Sequence, residues 1–212
     1  MKKKTILILL AVLVCLSGVV VRIWYVNQGR EERVIKIYPM GEMAPFEDDF
    51  YHLSGEIREK YEIRVNSATV MPVEEYLKSK GLTMEEVWPE GNNITDILDV
   101  NITIRNNTSP DVDVENDKQF FDYFNADIEN EGNNYQVDSE LLWTLYPQIN
   151  QGMFGFKIKP GTEYTMHLPY RVLDWQRTDS EKIKNSKNYM RMSQYPTKKL
   201  LEVRFDDHHT QS

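Results

Sequence analysis

Alternation of apolar and polar residues with a period of two recurs along this chain, and it is the feature that most narrows the fold. In "YEIRVN" Tyr61, Ile63 and Val65 fall on one side and Glu62, Arg64 and Asn66 on the other. "DVNITIRN" sets Val100, Ile102 and Ile104 against Asn101, Thr103 and Arg105. "MFGFKIK" places Phe154, Phe156 and Ile158 together, and "EYTMHLPYRV" does so with Tyr164, Met166, Leu168, Tyr170 and Val172. "LLEVRFD" repeats the pattern with Leu201, Val203 and Phe205. Successive side chains of a strand point to opposite faces, so each stretch predicts a strand with one buried and one wet face. "ELLWTLY" (Glu140–Tyr146) is apolar on both faces and reads as a more fully covered strand.

The punctuation agrees. "KPGT" at Lys159–Thr162 has Pro160 to preset φ and Gly161 to supply positive φ, which predicts a hairpin between the Phe154 and Tyr164 strands. "NNTSPD" and "NEGNN" are further turns. Helical signals are brief. "PVEEYLKSKG" runs from Pro72 to Gly81, "TMEEVWP" carries Thr83 and Glu86 at capping-box spacing, and "TDSEKIKNSKN" repeats that spacing with Thr178 and Glu181. Short antiparallel strands without long crossover helices predict a mainly β fold, a sandwich with short helical insertions. The cysteine and tryptophan positions do not match an antibody-type domain.

One segment breaks the pattern. Lys2, Lys3 and Lys4 precede "TILILLAVLVCLSGVVV", followed by "RIWYV". A helix from Thr5 to Val26 would be about 33 Å long, enough for a hydrocarbon core of about 30 Å. Arg22 can snorkel near its end, and Trp24 and Tyr25 suit the interface. The lysines predict a cytoplasmic N-terminus and an outer domain after about Asn27. "CLSG" is a weak cleavage site, and "VLVC" puts Val14 rather than a small residue before Cys15, so an uncleaved transmembrane anchor is expected in place of a signal peptide or lipoprotein. The expected organisation is residues 1–29 as lysine cap and anchor, 30–207 as one extracytoplasmic domain, and 208–212 as a frayed tail.

Cys15 is the only cysteine, so the outer domain has no disulfide and no thiol chemistry, and its stability must come from its core. All 33 acidic residues follow the anchor; with the three lysines and Arg22 set aside, 21 of the 25 basic residues oppose them, a net −12. That charge disfavours nucleic acid as a partner and is compatible with a cationic protein or peptide.

The anchor, "YPMGEMAPFEDDF", "YEIRVNSATVMPVEEYL", "VNITIRNNTS" and "FKIKPGTEYTMHLPYRV" together resemble uncharacterised membrane-anchored surface proteins of Gram-positive bacteria, of the domain of unknown function 5028 type, over nearly the whole chain. "VNITIRNNTS" followed by "KPGTEYTMHLPYRV" is also similar to immunoglobulin-like extracytoplasmic domains of bacterial lipoproteins, although "VLVC" departs from their lipid-attachment pattern. The resemblance implies a membrane-tethered immunoglobulin-like antiparallel β-sandwich and brings no catalytic residues.

Among chemistry-bearing motifs there is no Gly-rich phosphate loop, HExxH, GxSxG or Cys/His pair. His167 falls on the outward set of its strand, where a solvent-facing histidine is expected. "DDHH" (Asp206–His209) holds metal-ligand types, but neighbours on a strand diverge and the terminus is loose. "DVDVEND" (Asp111–Asp117) imitates a calcium loop without its glycine, since Asn116 stands there and Asp122 replaces the closing glutamate. Asn93, Asn101, Asn106 and Asn107 fit N-x-S/T and are expected as turn and strand residues. Trp88, Trp143 and Trp175 are expected in the core more than in a sugar-stacking patch. "PFEDDF" is expected after a first strand near "GEMAPFE", held at a sheet edge by Pro45, with Met43 facing inward, Phe50 and Tyr51 over the end of the core, and Glu47, Asp48 and Asp49 solvated.

The leading expectation is therefore a binding or envelope-interaction module with no catalysis, no cofactor and no metal. A regulatory or immunity protein that captures cationic peptides on its acidic face is the alternative. A hydrolase using Glu47, Asp48 and Asp49 would need two carboxylates whose pKa values are split.

Overall fold

The computed structural model describes residues 3–28, 34–47, 49, 60–109, 121–122, 126–148, 155–156, 158–176 and 180–206. It divides into two compact units, Met1–Arg33 and Val34–Ser212.

The first unit is helix α1, Lys3–Gln28. Its described side chains, Leu10 and the unbroken run Val12–Asn27, are exposed. Among the described residues no helix is long and apolar enough to cross a membrane.

The second unit is mainly β. In order it contains β1 (Val34–Tyr38), β2 (Ala44–Pro45), β3 (Tyr61–Pro72), α2 (Val73–Lys80), α3 (Met84–Val87), β4 (Ile94–Asn106), β5 (Phe121–Asp122), β6 (Ile128–Asn130) and β7 (Asn133–Tyr135). Then come α4 (Ser139–Leu145), β8 (Gly155–Phe156), β9 (Glu163–Leu173), a 3-10 turn (Asp174–Gln176), α5 (Ser180–Asn185), β10 (Asn188–Arg191) and β11 (Thr197–Val203). One sheet has the order β1-β11-β10-β6-β7, the second β2-β3-β4-β9, and β5 pairs with β8. Among the strands described, every pairing is antiparallel except β1 with β11, which is parallel and corrects the wholly antiparallel expectation.

Four of the five alternating segments bury the faces expected of them, with Tyr164 only part-buried; in "MFGFKIK" the burial of Ile158 alone is described, and it is buried. Tyr61, Ile63, Val65, Val100, Ile102, Ile104, Met166, Leu168, Tyr170, Leu201 and Val203 all lie in one core that takes residues from both large sheets. A bulge between Val65 and Ser67 lets β3 keep Ala68 and Val70 on the same inward face. A second, smaller core lies under α2, α3 and α4, with Met71, Tyr76, Leu77, Trp88, Ile97 and Leu141. α2 ends on Gly81 at φ +71, where a left-handed residue closes the last turn, and α3 carries the Thr83/Glu86 capping box.

Three expectations are corrected. "ELLWTLY" is helix α4 instead of a strand: Asp138 accepts from the Leu141 N–H at 2.9 Å and caps it, while Leu141 and Leu142 are buried. A short run apolar on every side does not distinguish a buried strand from a buried helix, and the cap decides it. "KPGT" does form a turn, with the Thr162 N–H donating to the Lys159 carbonyl at 3.2 Å, but β9 leaves it to pair with β4 while β8 pairs with β5. Among the described residues the turn therefore joins no hairpin. Lastly, "VIKIY" forms β1 ahead of the expected first strand, and β2 is the two-residue edge strand that Pro45 allows. Met43 is only part-buried, whereas Ala44 and Phe46 are the buried residues of that segment. Phe154, Thr178, Phe50 and Tyr51 lie outside the described residues.

Candidate functional site

Lys36 and Lys199 are register partners on the parallel strands β1 and β11 and share the inward set of their sheet. Lys199 is fully buried. A buried ammonium needs opposite charge or acceptors around it, and the segment after β2 supplies both. Lys199 Nζ lies 2.8 Å from Glu47 Oε2 and 2.5 Å from Asp49 Oδ1, and it donates to the Phe46 carbonyl. Its contact with Asp49 Oδ1 is an ion pair off hydrogen-bonding geometry. Lys36 Nζ donates to Glu47 Oε2 and to Asp49 Oδ2, both at 2.9 Å. Two ammonium groups thus alternate with two carboxylates between β1, β11 and the chain leaving β2.

Glu47 sits at φ +54, a left-handed conformation that a non-glycine residue adopts at a cost of about 1 kcal/mol. The two lysines hold it there. Their hydrogen bonds, Lys199 first and then Lys36, lower the Glu47 pKa. For Asp49 burial acts upward, but Lys199 and Lys36 outweigh it and bring the group to about 2. Lys36 is raised in turn by Glu47 and Asp49. The expectation of solvated acids is corrected for these two: each is bound on both sides by the protein's own cations. Asp48 lies outside the described residues.

A second constellation crosses the outer face of the β2-β3-β4-β9 sheet. Arg64 Nε donates to Asn66 Oδ1 at 2.9 Å, and Asn66 Nδ2 donates to Asn101 Oδ1 at 2.6 Å and to Thr103 Oγ1 at 2.9 Å. Asn66 is the extra residue of the β3 bulge, which turns it over β4. Because its oxygen is occupied, Asn101 presents its NH₂ to His167 Nε2 at 2.9 Å. The imidazole proton is thereby assigned to Nδ1, which donates to Asp99 Oδ2 at 2.9 Å. The result is a one-directional hydrogen-bond chain over three strands, from a guanidinium to a buried carboxylate. Tyr146 Oη accepts from the His167 backbone N–H at 2.8 Å, and Tyr76 reaches the other Asp99 oxygen at a long 3.4 Å. Burial raises both phenols, with the Asp99 charge adding to it. His167 does face outward, with 37 % of its side chain exposed, but both ring nitrogens are engaged. An aspartate on Nδ1 is half of a nucleophile-activating triad, yet Nε2 carries an amide donor where a hydroxyl or thiol would have to be.

The family model described as Domain of unknown function (DUF5028) matches residues 35–199. The chain belongs to the DUF5028 family. The match spans the domain from β1 to β11 and takes in both lysines, both bound acids and the Asp99–His167 pair. No curated protein and no solved structure matches the chain.

Elsewhere in the DUF5028 domain, Trp88 is buried and donates to Asp138 Oδ1 at 3.3 Å, Trp143 packs part-buried against the main core, and Trp175 is exposed. Asn106 is buried and donates to the Ile158 carbonyl, its Oδ1 accepting from the Thr108 N–H in the turn expected there. Asn101 belongs to the sheet-face chain, while Asn93 and Asn107 are exposed. Of "DDHH", Asp206 bridges to Thr69 of β3; Asp207, His208 and His209 lie outside the described residues, as does "DVDVEND". Among the described residues no group of three or more metal-ligand side chains converges. Sequence reasoning missed Lys36 and Lys199 entirely. The available signal was Lys199 on the inward set of "TKKLLEV", opposite Lys198 and Glu202.

Proposed function

We propose that this DUF5028 protein is a single-pass membrane protein that presents an immunoglobulin-like β-sandwich outside a Gram-positive cell, for binding rather than catalysis. The observation that carries the non-catalytic part is the direction of the two shifts: Glu47 and Asp49 are both lowered, by the same two lysines. Carboxylate acid–base chemistry needs one group raised and one left ionised, and this pair provides two anions already neutralised. The same fact weighs against capture of cationic peptides at this stretch, because its cations are internal.

Supporting the immunoglobulin-like reading, the last, penultimate and a middle strand, β11, β10 and β6, are neighbours in one sheet, as G, F and C are in that fold. The departure is that β3 and β4 adjoin directly through the α2–α3 insertion. The anchor rests on the sequence, the apolar run Thr5–Val26 with Lys2, Lys3 and Lys4 before it and Trp24 and Tyr25 near its end, and not on α1, since no helix among the described residues is long and apolar enough to cross a membrane. Carbonate washing of membranes from expressing cells tests it. Full-length protein in the pellet, with an intact Met1 end and an outer domain open to added protease, is the expected result; a mature protein beginning near Gly18, or one in the wash, refutes it.

A further inference from the structure

Edge strands invite pairing with other chains, and natural domains block them. Three of the four large-sheet edges here are blocked. The β3 edge is covered by proline-bearing β2, by the Gly41 N–H donating to the Val65 carbonyl, and by Asp206, whose N–H donates to the Ala68 carbonyl. The β9 edge is covered by residues 136–138 and by Tyr146. β7 is three residues long, and Gln176 caps its Asn134 carbonyl. β1 differs. Among the described residues nothing pairs with its outer edge, and it has no proline and no bulge. Val34, Ile35 and Ile37 are 50–57 % exposed, and its one charge, Lys36, is turned inward to Glu47 and Asp49.

We infer that β1 is a self-association edge, whose occupant is β1 of a second copy of this chain, antiparallel about a two-fold axis at Lys36. In that register Ile35 of each copy meets Ile37 of the other on one sheet face, next to Leu200, and Val34 meets Tyr38. Cross-strand β-branched pairs of this kind stabilise antiparallel ladders. The register also sets Lys36 against Lys36. Like charges facing each other oppose pairing, but each ammonium already lies 2.9 Å from two carboxylates of its own copy, so the pair that would repel is neutralised beforehand. The sequence "VIKIY" is therefore self-complementary because of the ion cluster behind it.

The area argues for a weak, assisted contact. Five residues pair over about 17 Å, and the covered surface is well below the roughly 1,000 Å² of an independent stable interface. The net −12 of each outer part adds repulsion. Confinement to one membrane raises the effective concentration enough for such an edge to pair, and on this point the inference rests on the proposed anchor.

The test is disulfide mapping of the full-length chain in a Cys15→Ser background. Differently tagged Ile35→Cys and Ile37→Cys chains are co-reconstituted in phosphatidylglycerol-containing vesicles and oxidised. Opposed residues lie about 5 Å apart at Cα, within disulfide reach, whereas the diagonal 35–35 and 37–37 approaches are about 7–8 Å. The mixed pair is expected to link at least several-fold more than either variant alone, with the yield rising as salt screens the acidic domains. No link in the mixed pair, or equal linking in the single-variant samples, overturns the inference. So does a product in native membranes whose mass shows another polypeptide on this edge. Carbonate extraction of the same vesicles reads the anchor separately. If it releases the chain, the anchor reading fails, and the pairing is then read from the same mixed-pair ratio in solution at about a hundredfold higher protein concentration.

Discussion

Removing the two acids of the ion cluster should destabilise the protein more than removing the buried lysine they hold. In the Lys199→Met variant the apolar stem keeps its packing, and Glu47 and Asp49 retain Lys36. With 44 % and 34 % of their side chains exposed, both carboxylates can also turn to water. What is lost is the hydrogen bond from Lys199 to the Phe46 carbonyl, about 1–2 kcal/mol. In the Glu47→Gln, Asp49→Asn double variant the Lys199 ammonium stays fully buried, with that carbonyl and two neutral amides around it and Lys36 as a nearby like charge. A buried charge stripped of its counter-ions costs about 3–5 kcal/mol. For a domain of this size each kcal/mol moves Tm by about 2–4 °C, so the acid variant should melt about 6–20 °C lower and the lysine variant about 2–8 °C lower. The triple variant closes the cycle: with the charge gone, it should be more stable than the acid double variant. Thermal unfolding at pH 7, followed by circular dichroism, measures all three. A Lys199→Met variant that melts lowest, or a triple variant no better than the acid pair, would refute the reasoning.

The same cluster sets an acid limit. Folded-state pKa values of Glu47 and Asp49 lie below their unfolded values, so their contribution is complete above about pH 5 and is lost as pH falls toward 2; urea unfolding across that range should slope downward, and less steeply in the acid double variant. Calcium at 20 mM should raise Tm no more than magnesium at equal ionic strength, because lysines fill the acidic pair; a saturable calcium-specific rise that the acid variant loses would contradict this. Asp138→Ala removes the α4 cap and the Trp88 partner together and should cost about 2–3 kcal/mol in urea unfolding, while Asp138→Asn, which can still cap, should cost under about 1. His167→Phe leaves the buried Asp99 carboxylate, among the described residues, with only the long Tyr76 contact and should cost about 2 kcal/mol; a value near zero would mean the chain across the sheet contributes nothing.

How much of this was legible depended on whether the signal was local. Strand faces were, because burial follows a period that six or seven residues display: every alternating residue expected to be inward in β3, β4 and β11 is buried. Helices with their own punctuation were also readable, as Gly81 and the Thr83/Glu86 box show. α4 was not, because "ELLWTLY" is apolar all round and its only discriminating residue, Asp138, lies outside the run. The partner of β9 was not either. "KPGT" fixes a turn but not which strand its exit joins, and β4, 13 residues long, offered a longer ladder than two-residue β8.

The ion cluster shows where two weak local signals combine into one strong one. Period two put Lys199 between Thr197 and Leu201 on an inward face, which cannot stand unless an anion reaches it. "PFEDDF" had acids without an assigned partner, directly after a buried phenylalanine. Each taken alone has a bland explanation, an irregular strand end and a solvated loop. Together they require one another, since a buried lysine must find a carboxylate and a carboxylate beside Phe46 starts near the core. Separation in sequence, 153 residues between Phe46 and Lys199, is what hid the pairing. The same closure turns Lys36 inward and leaves β1 with an outer edge of Val34, Ile35 and Ile37. The acidic stretch therefore acts at a distance from its own surface: by drawing the one charge of β1 into the domain, it makes the neighbouring strand apolar enough to meet another.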